Sequence, residues 1–181
     1  MINQNPAKKS PKQPVSTESS LPGLPAGLLS RLFSARQALR ENRPLLHCIT
    51  NPISINDCAN AILAVGARPV MAEHPREVRG ITESAQALSL NLGNITDARM
   101  ESMRISGETA RSLPIPCVLD AVGTACSPLR LGYALECIQI CRPSVVKGNV
   151  SELRALCGAA SHAIGVDAGK QDAVSSQNRG E

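Results

Sequence analysis

From Pro44 onward, short apolar runs alternate with longer stretches of helical spacing. The runs are PLLHCIT (44–50), ARPVMA (67–72), ALSLNLG (87–93), PCVLDAV (116–122) and SVVKGN (144–149). The stretches between and after them predict helices over about 54–65, 75–84, 96–112, 128–141 and 150–157. The runs are nearly continuous in apolar residues rather than strictly alternating, which is the pattern of strands covered on both faces. Strand–helix alternation requires crossover connections, and these put the strands parallel to one another. The predicted class is therefore α/β, a parallel sheet flanked by helices. A further helix is predicted over Gly27–Glu41, with apolar positions at Leu28, Leu29, Leu32, Phe33, Ala35 and Leu39.

Both ends differ from this rhythm. Residues 1–26 hold five prolines, four serines and three lysines and few large apolar side chains, too few to offset the entropy of ordering. They read as a disordered extension, without the apolar core of a signal peptide or the arginines of a transit peptide. Residues 27–170 read as the folded domain and 171–181 as an irregular tail. The stretch Gly165-Val-Asp-Ala-Gly169 looks like a loop, and nothing after it resembles a strand or capping helix.

Composition narrows the function classes. The chain has 181 residues, 43% of them hydrophobic and 19% charged, as expected of a globular domain. No run of 18 apolar residues is present to cross a membrane. The net charge of +4 is spread thinly, and one Phe, one Tyr and no Trp cannot build a base-stacking platform, so nucleic acid is not the expected partner. The seven cysteines are odd in number and form no CxxC. They read as reduced, mostly buried thiols in a cytoplasmic protein.

The polar residues gather where the predicted strands end: Thr50 and Asn51, Met71 to Glu73, Asn91 with Gly93 and Asn94, Asp120 with Gly123, and Lys147-Gly148-Asn149. In an open parallel sheet, ligands bind beyond the carboxyl ends of the strands. A small-molecule pocket is expected there. At Lys147-Gly148-Asn149-Val150-Ser151-Glu152 a strand meets a helix. Asn149 or Ser151 caps that helix, and the lysine beside the helix start suits phosphate. Asp120 at the tip of a buried strand needs a partner or a metal. Asp120 and Glu152, one βα unit apart, suit one Mg²⁺ held through waters. Met71 suits either an adaptable pocket wall or core filling. His47 reads as a satisfied core histidine, His74 as a solvated turn residue, and residues 99–103 as helix packing. There is no GxSxG, no phosphate loop with Gly-Lys-Ser/Thr and no GxGxxG after a strand, which argues against an unrelated dinucleotide site.

Taken in order, His47-Cys-Ile-Thr-Asn-Pro52, Ala59-Asn60, Gly66-Ala67-Arg68-Pro69-Val70-Met71-Ala72, Leu90-Asn91-Leu92-Gly93, Leu119-Asp120-Ala121-Val122-Gly123, Ser127-Pro128-Leu129-Arg130 and Lys147-Gly148-Asn149-Val150-Ser151-Glu152 resemble the amino-terminal two-thirds of hydroxyethylthiazole kinase. The resemblance implies an incomplete ribokinase-like fold over 27–170. It also implies ATP-dependent, Mg²⁺-requiring phosphorylation of 4-methyl-5-(2-hydroxyethyl)thiazole in thiamine biosynthesis or salvage, by a homotrimer that binds thiazole between subunits. Met71, Asn51 and Gly93 are the implied thiazole contacts. Lys147 and Asn149 are the implied ATP contacts, and Asp120 and Glu152 the implied metal contacts. The sequence departs from the family where Ala121 replaces a proline and where Thr124-Ala125-Cys126 replaces a Gly-rich stretch. The family's Thr-Gly segment and its Gly-Ala-Gly-Cys helix start with the catalytic cysteine have no counterpart in these residues. No cysteine here inherits that role, and the 181 residues alone are expected to turn over negligibly. The alternative expectation is a non-catalytic thiazole-binding or oligomerisation module.

Overall fold

The structure, a computed structural model, describes residue 25, residues 27–163 and residues 165–174. The expected extension 1–26 lies outside the described residues except for Pro25, as does the tail beyond 174. In chain order the described elements are α1 (Leu28–Asn42), β1 (Leu45–Ile49), α2 (Ile55–Val65), β2 (Arg68–Val70), α3 (Val78–Ser84), β3 (Ala87–Asn91), α4 (Asp97–Ser112), β4 (Cys117–Asp120), α5 (Pro128–Cys141), β5 (Val145–Lys147) and α6 (Val150–Leu156). The strands form one parallel sheet in the order β2-β1-β3-β4-β5. Every predicted strand and helix is present.

Local chemistry explains the helix starts. Thr96 and Ser127 cap α4 and α5 by accepting from the backbone N–H of Arg99 and Arg130, and Pro128 occupies the first turn of α5, where its missing N–H leaves no bond unmade. Asn149 and Glu152 form a reciprocal capping box at α6.

The core lies on one side of the sheet. Ile49, Leu88, Leu90, Cys117 and Leu119 are buried there, joined by Val78, Met103, Tyr133, Ala134, Cys137 and Cys141 from α3, α4 and α5. The Tyr133 hydroxyl donates to the Met100 carbonyl at 2.6 Å and ties α5 to α4. On the other side, α2 packs on β2, and α1 rests on α2. The in-register pair Val118 and Val145 stays 41% and 53% exposed on that side among the described residues. Coverage of both faces, expected from the apolar runs, therefore holds for β1 but not for β4 and β5. The described helices that touch β3 and β1 most, α3 and α4, lie on a single side.

Beyond α6, a 3-10 turn at Lys170–Asp172 buries the Asp172 carboxylate. That carboxylate accepts from Ser151 Oγ, from the His162 backbone N–H at 2.7 Å and lies 2.9 Å from His162 Nδ1. The first residues of the tail are thus anchored by one buried acid.

Candidate functional site

The sheet brings the polar strand ends together. Asn91, Asp120 and Lys147 stand on one rung of β3, β4 and β5, since Asn91 pairs with Asp120 and Asp120 with Lys147. Neighbouring residues on a rung of a parallel sheet point the same way, about 4.8 Å apart. Accordingly Asn91 Nδ2 and Lys147 Nζ both donate to Asp120 Oδ2 at 3.0 Å. The other oxygen, Asp120 Oδ1, is buried and has no hydrogen-bond partner in the structure. An unmatched buried carboxylate oxygen is costly, and a cation or donor brought by a ligand would relieve it.

Glu152, the other expected metal contact, has a structural task as well. It is buried, its Oε1 accepts from the Gly123 N–H at 2.7 Å, and its Oε2 accepts from the Asn149 N–H at 2.7 Å. The carboxylate spends an oxygen on each of the two loops that leave β4 and β5, so it clamps them together. Asn149 is likewise occupied: its Oδ1 accepts from the Glu152 N–H and its Nδ2 donates to the Val166 carbonyl. Gly123 has φ +80°, and the Arg130 guanidinium lies where a side chain would project, so only glycine fits that turn.

The thiazole candidates occupy the other half of the rim. Asn51 Oδ1 accepts from the Ile53 N–H and from Asn94 Nδ2. Gly93 donates its N–H to Asn91 Oδ1 at 2.8 Å, and a methyl group there would lie 2.8 Å from both Asn51 Nδ2 and Asn91 Oδ1. The close approach of two amides is what requires glycine. Met71 follows β2 and is half-buried. Gly93, Asn91, Asp120 and Lys147 form one hydrogen-bonded line, Asn94 bonds Asn51, and the two meet at the Gly93–Asn94 peptide; Met71 lies at the end of the strand next to β1.

Residues that the sequence reading left as packing hold this half in place. His47 is fully buried; its Nε2 lies 2.9 Å from the Ala72 carbonyl and its Nδ1 2.8 Å from Thr82 Oγ1. Burial lowers its pKa below the ordinary 6.5, so the ring is neutral. A carbonyl only accepts, which puts the proton on Nε2; the one Thr82 hydroxyl hydrogen then lies between two acceptors, Nδ1 and the Val78 carbonyl, each 2.8 Å away. Arg99 is buried, and its guanidinium donates to Glu73 Oε2 at 2.8 and 2.7 Å and to the Asn94 carbonyl at 2.9 Å. Ser102 Oγ lies 2.8 Å from the Glu73 carbonyl. The only signal for Arg99 was a basic residue one turn inside a capped helix start. The core reading of His47 and the packing of Met100 and Met103 agree with the structure.

All seven cysteines are free. Cys48, Cys117, Cys137 and Cys141 are buried, Cys58 is half-buried, and Cys126 and Cys157 are exposed. Burial pushes the Cys48 thiol up to about 11, which keeps it protonated and unreactive. Among the described residues no three His, Cys, Asp or Glu side chains are placed to share a metal ion, and no helix is long and apolar enough to cross a membrane.

Residues 36–178 match the model of the hydroxyethylthiazole kinase family. The chain is 56% identical over 143 residues to hydroxyethylthiazole kinase 1 of Clostridium botulinum, covering 79% of this chain and 54% of that one. It is 40% identical over 145 residues to hydroxyethylthiazole kinase of Clostridium tetani, covering 80% and 53%. Among solved structures, that of hydroxyethylthiazole kinase protein from Pyrococcus horikoshii OT3 is similar with a TM-score of 0.69 and 38% identity, over 71% of this chain and 50% of that one. The chain thus spans about half the length of the curated relatives it matches, less than the two-thirds its motifs imply. The same parallel α/β architecture is present in the Pyrococcus structure. With the family model matched across most of its residues and these relatives aligned over the same stretch, the chain belongs to the hydroxyethylthiazole kinase family.

Proposed function

We propose that this chain supplies the thiazole-holding and phosphate-holding strand tips of a kinase that transfers the γ-phosphoryl group of ATP to the primary alcohol of 4-methyl-5-(2-hydroxyethyl)thiazole, a step of thiamine biosynthesis in the cytoplasm. The observation that carries the reading is the Asn91–Asp120–Lys147 rung with its unmatched Asp120 Oδ1. Met71, Asn51 and Gly93 hold the ring and place its hydroxyethyl arm toward that rung. Lys147, 67% exposed and anchored by Asp120, offers its ammonium to nucleotide phosphates. Asn149 shapes the phosphate end by fixing the start of α6, and Glu152 fixes the loops around it.

The donor set suits Mg²⁺, which keeps most of its waters and needs only one or two carboxylates beside substrate phosphates. Asp120 supplies that carboxylate through Oδ1. Glu152, whose oxygens already accept backbone N–H groups, orients the surroundings instead. When bound, the ion neutralises charge on the phosphates. The chain's own residues orient the alcohol and hold the phosphate end, and positioning is the main protein contribution to phosphoryl transfer.

The homotrimer implied by the family resemblance is part of this proposal. Apolar side chains on α1 and α2 favour it, because Leu32, Phe33, Leu63 and Val65 are 56%, 66%, 53% and 43% exposed. The 181 residues contain no Gly-Ala-Gly-Cys segment. By themselves they are expected to bind the thiazole alcohol calorimetrically yet form negligible thiazole phosphate with ATP and Mg²⁺. Met71→Ala is expected to weaken that binding at least tenfold. Unchanged affinity in Met71→Ala would overturn the thiazole assignment, and robust turnover by these residues would overturn the placement of the transfer groups elsewhere.

A further inference from the structure

The segment after β2 and the turn after β3 carry Met71 and Gly93, yet they belong to different βα units and share no backbone bond. What joins them is one side chain from α4. Arg99 reaches back past its own helix start and uses three of its five N–H groups there: two on Glu73 Oε2, two residues after Met71, and one on the carbonyl of Asn94, next to Gly93. A planar guanidinium fixes both the distance and the angle between the groups it forks.

Asn94 extends the connection. Its φ is +48°, a left-handed conformation that asparagine tolerates better than most residues. In that conformation its carbonyl meets Arg99 while its Nδ2 donates to Asn51 Oδ1 at 3.1 Å. The segment after β2 has two further ties, His47 on the Ala72 carbonyl and Ser102 on the Glu73 carbonyl. Of the implied thiazole contacts, Asn51 is held directly by Asn94, Gly93 is one residue from Asn94 and Met71 two residues from Glu73, the groups that Arg99 holds. These bonds lie outside the sheet ladder: Arg99, His47 and Ser102 reach from buried positions to acceptors on the exposed Glu73 and Asn94 and the half-buried Ala72.

We propose that Arg99, acting through Glu73 and Asn94, is the positioning residue of the thiazole subsite: it sets the spacing between Met71, Gly93 and Asn51 before ligand arrives. Arg99 does not touch the ligand. The inference rests on the thiazole reading above and adds a residue to it. A preset subsite loses less freedom on binding, so loosening the brace lowers affinity without removing a contact.

The four methionines make the test direct. Methyl-¹³C methionine spectra of the chain are recorded during titration with 4-methyl-5-(2-hydroxyethyl)thiazole. Met71 reports the subsite, and Met103, fully buried in the core, reports the fold. Wild type is expected to shift at Met71 and stay still at Met103. Arg99→Lys keeps the charge and loses the fork; it is expected to raise the titration midpoint at least tenfold with Met103 unmoved. Asn94→Gly keeps the backbone conformation and loses the link to Asn51; about a threefold rise is expected, and this variant decides the matter if Arg99→Lys disturbs Met103. Midpoints within twofold of wild type in a variant that leaves Met103 unmoved would overturn the positioning role while leaving the thiazole reading intact. A wild-type Met71 that does not respond at all would bring down the thiazole reading and this inference with it.

Discussion

The two halves of the strand-tip rim are built on different principles. Around β1, β2 and β3 the polar groups satisfy one another: His47 with Ala72 and Thr82, Arg99 with Glu73 and Asn94, Asn94 with Asn51. Its neutral and charged groups alike are matched before any ligand is present. Around β4 and β5 the structure keeps charge in reserve. Lys147 is exposed, and Asp120 Oδ1 is buried without a partner. Glu152 and Asn149, beneath them, are engaged with backbone groups. A preset, internally bonded half suits a small neutral ring, whose affinity comes from shape. A half with unspent charge suits phosphates and a cation, whose affinity comes from electrostatics.

The largest expected effect lies under the charged half. Glu152→Ala leaves the buried Gly123 N–H and the half-buried Asn149 N–H unmatched, so denaturant unfolding is expected to show a loss of about 3 kcal/mol. A loss of well under 1 kcal/mol would mean that these loops hold without the clamp. Gly123→Ala forces a side chain into a φ of +80° and against Arg130, with an expected cost of about 2 kcal/mol in the same assay.

Acid distinguishes the halves further. The folded protein holds His47 neutral while the unfolded chain takes up its proton near the ordinary 6.5. Stability is therefore full above that value and falls as the pH drops below it, by at most about 1.4 kcal/mol per pH unit. Melting temperatures from pH 7 to pH 5 should decline in wild type and decline less in His47→Gln; equal slopes would show that His47 is not the titrating group. Asp172 acts in a lower window. Its hydrogen bond from Ser151, aided by His162, holds its carboxyl at about 2 against an ordinary 3.8, so its contribution persists above 3.8 and disappears as the pH falls through about 2. The smallest effect on stability is expected of Lys147→Met, within about 0.5 kcal/mol for an exposed ion pair, alongside a roughly tenfold loss of nucleotide affinity. A large fall in melting temperature would make the Lys147–Asp120 pair structural rather than reserved for ligand.

Much of this molecule is readable from residue pattern because its elements are regular. The helix expected at 128–141 is Pro128–Cys141, with Ser127 capping and Pro128 opening it. The ARPVMA run shortens to Arg68–Val70 because β2 is an edge strand and Met71 to Glu73 leave the ladder for side-chain partners. Strand order was not legible, since periodicity says nothing about which strands are neighbours, and with it went the rung that unites Asn91, Asp120 and Lys147. Glu152 shows the limit most clearly. Asn149-x-x-Glu152 is a capping-box signature as well as a suitable metal contact, and only geometry tells which use prevails. Arg99 shows only its place one turn inside a helix start, because a side chain that reaches across elements leaves no trace in spacing.

Titration calorimetry with ADP in Mg²⁺ and in EDTA, on wild type and Asp120→Asn side by side, tests the charged half most directly. ADP should bind wild type only with Mg²⁺, and that binding should vanish in an Asp120→Asn protein whose melting temperature is unchanged. Equal binding in EDTA, or in Asp120→Asn, would contradict the assignment of the β4–β5 tips to phosphate and metal.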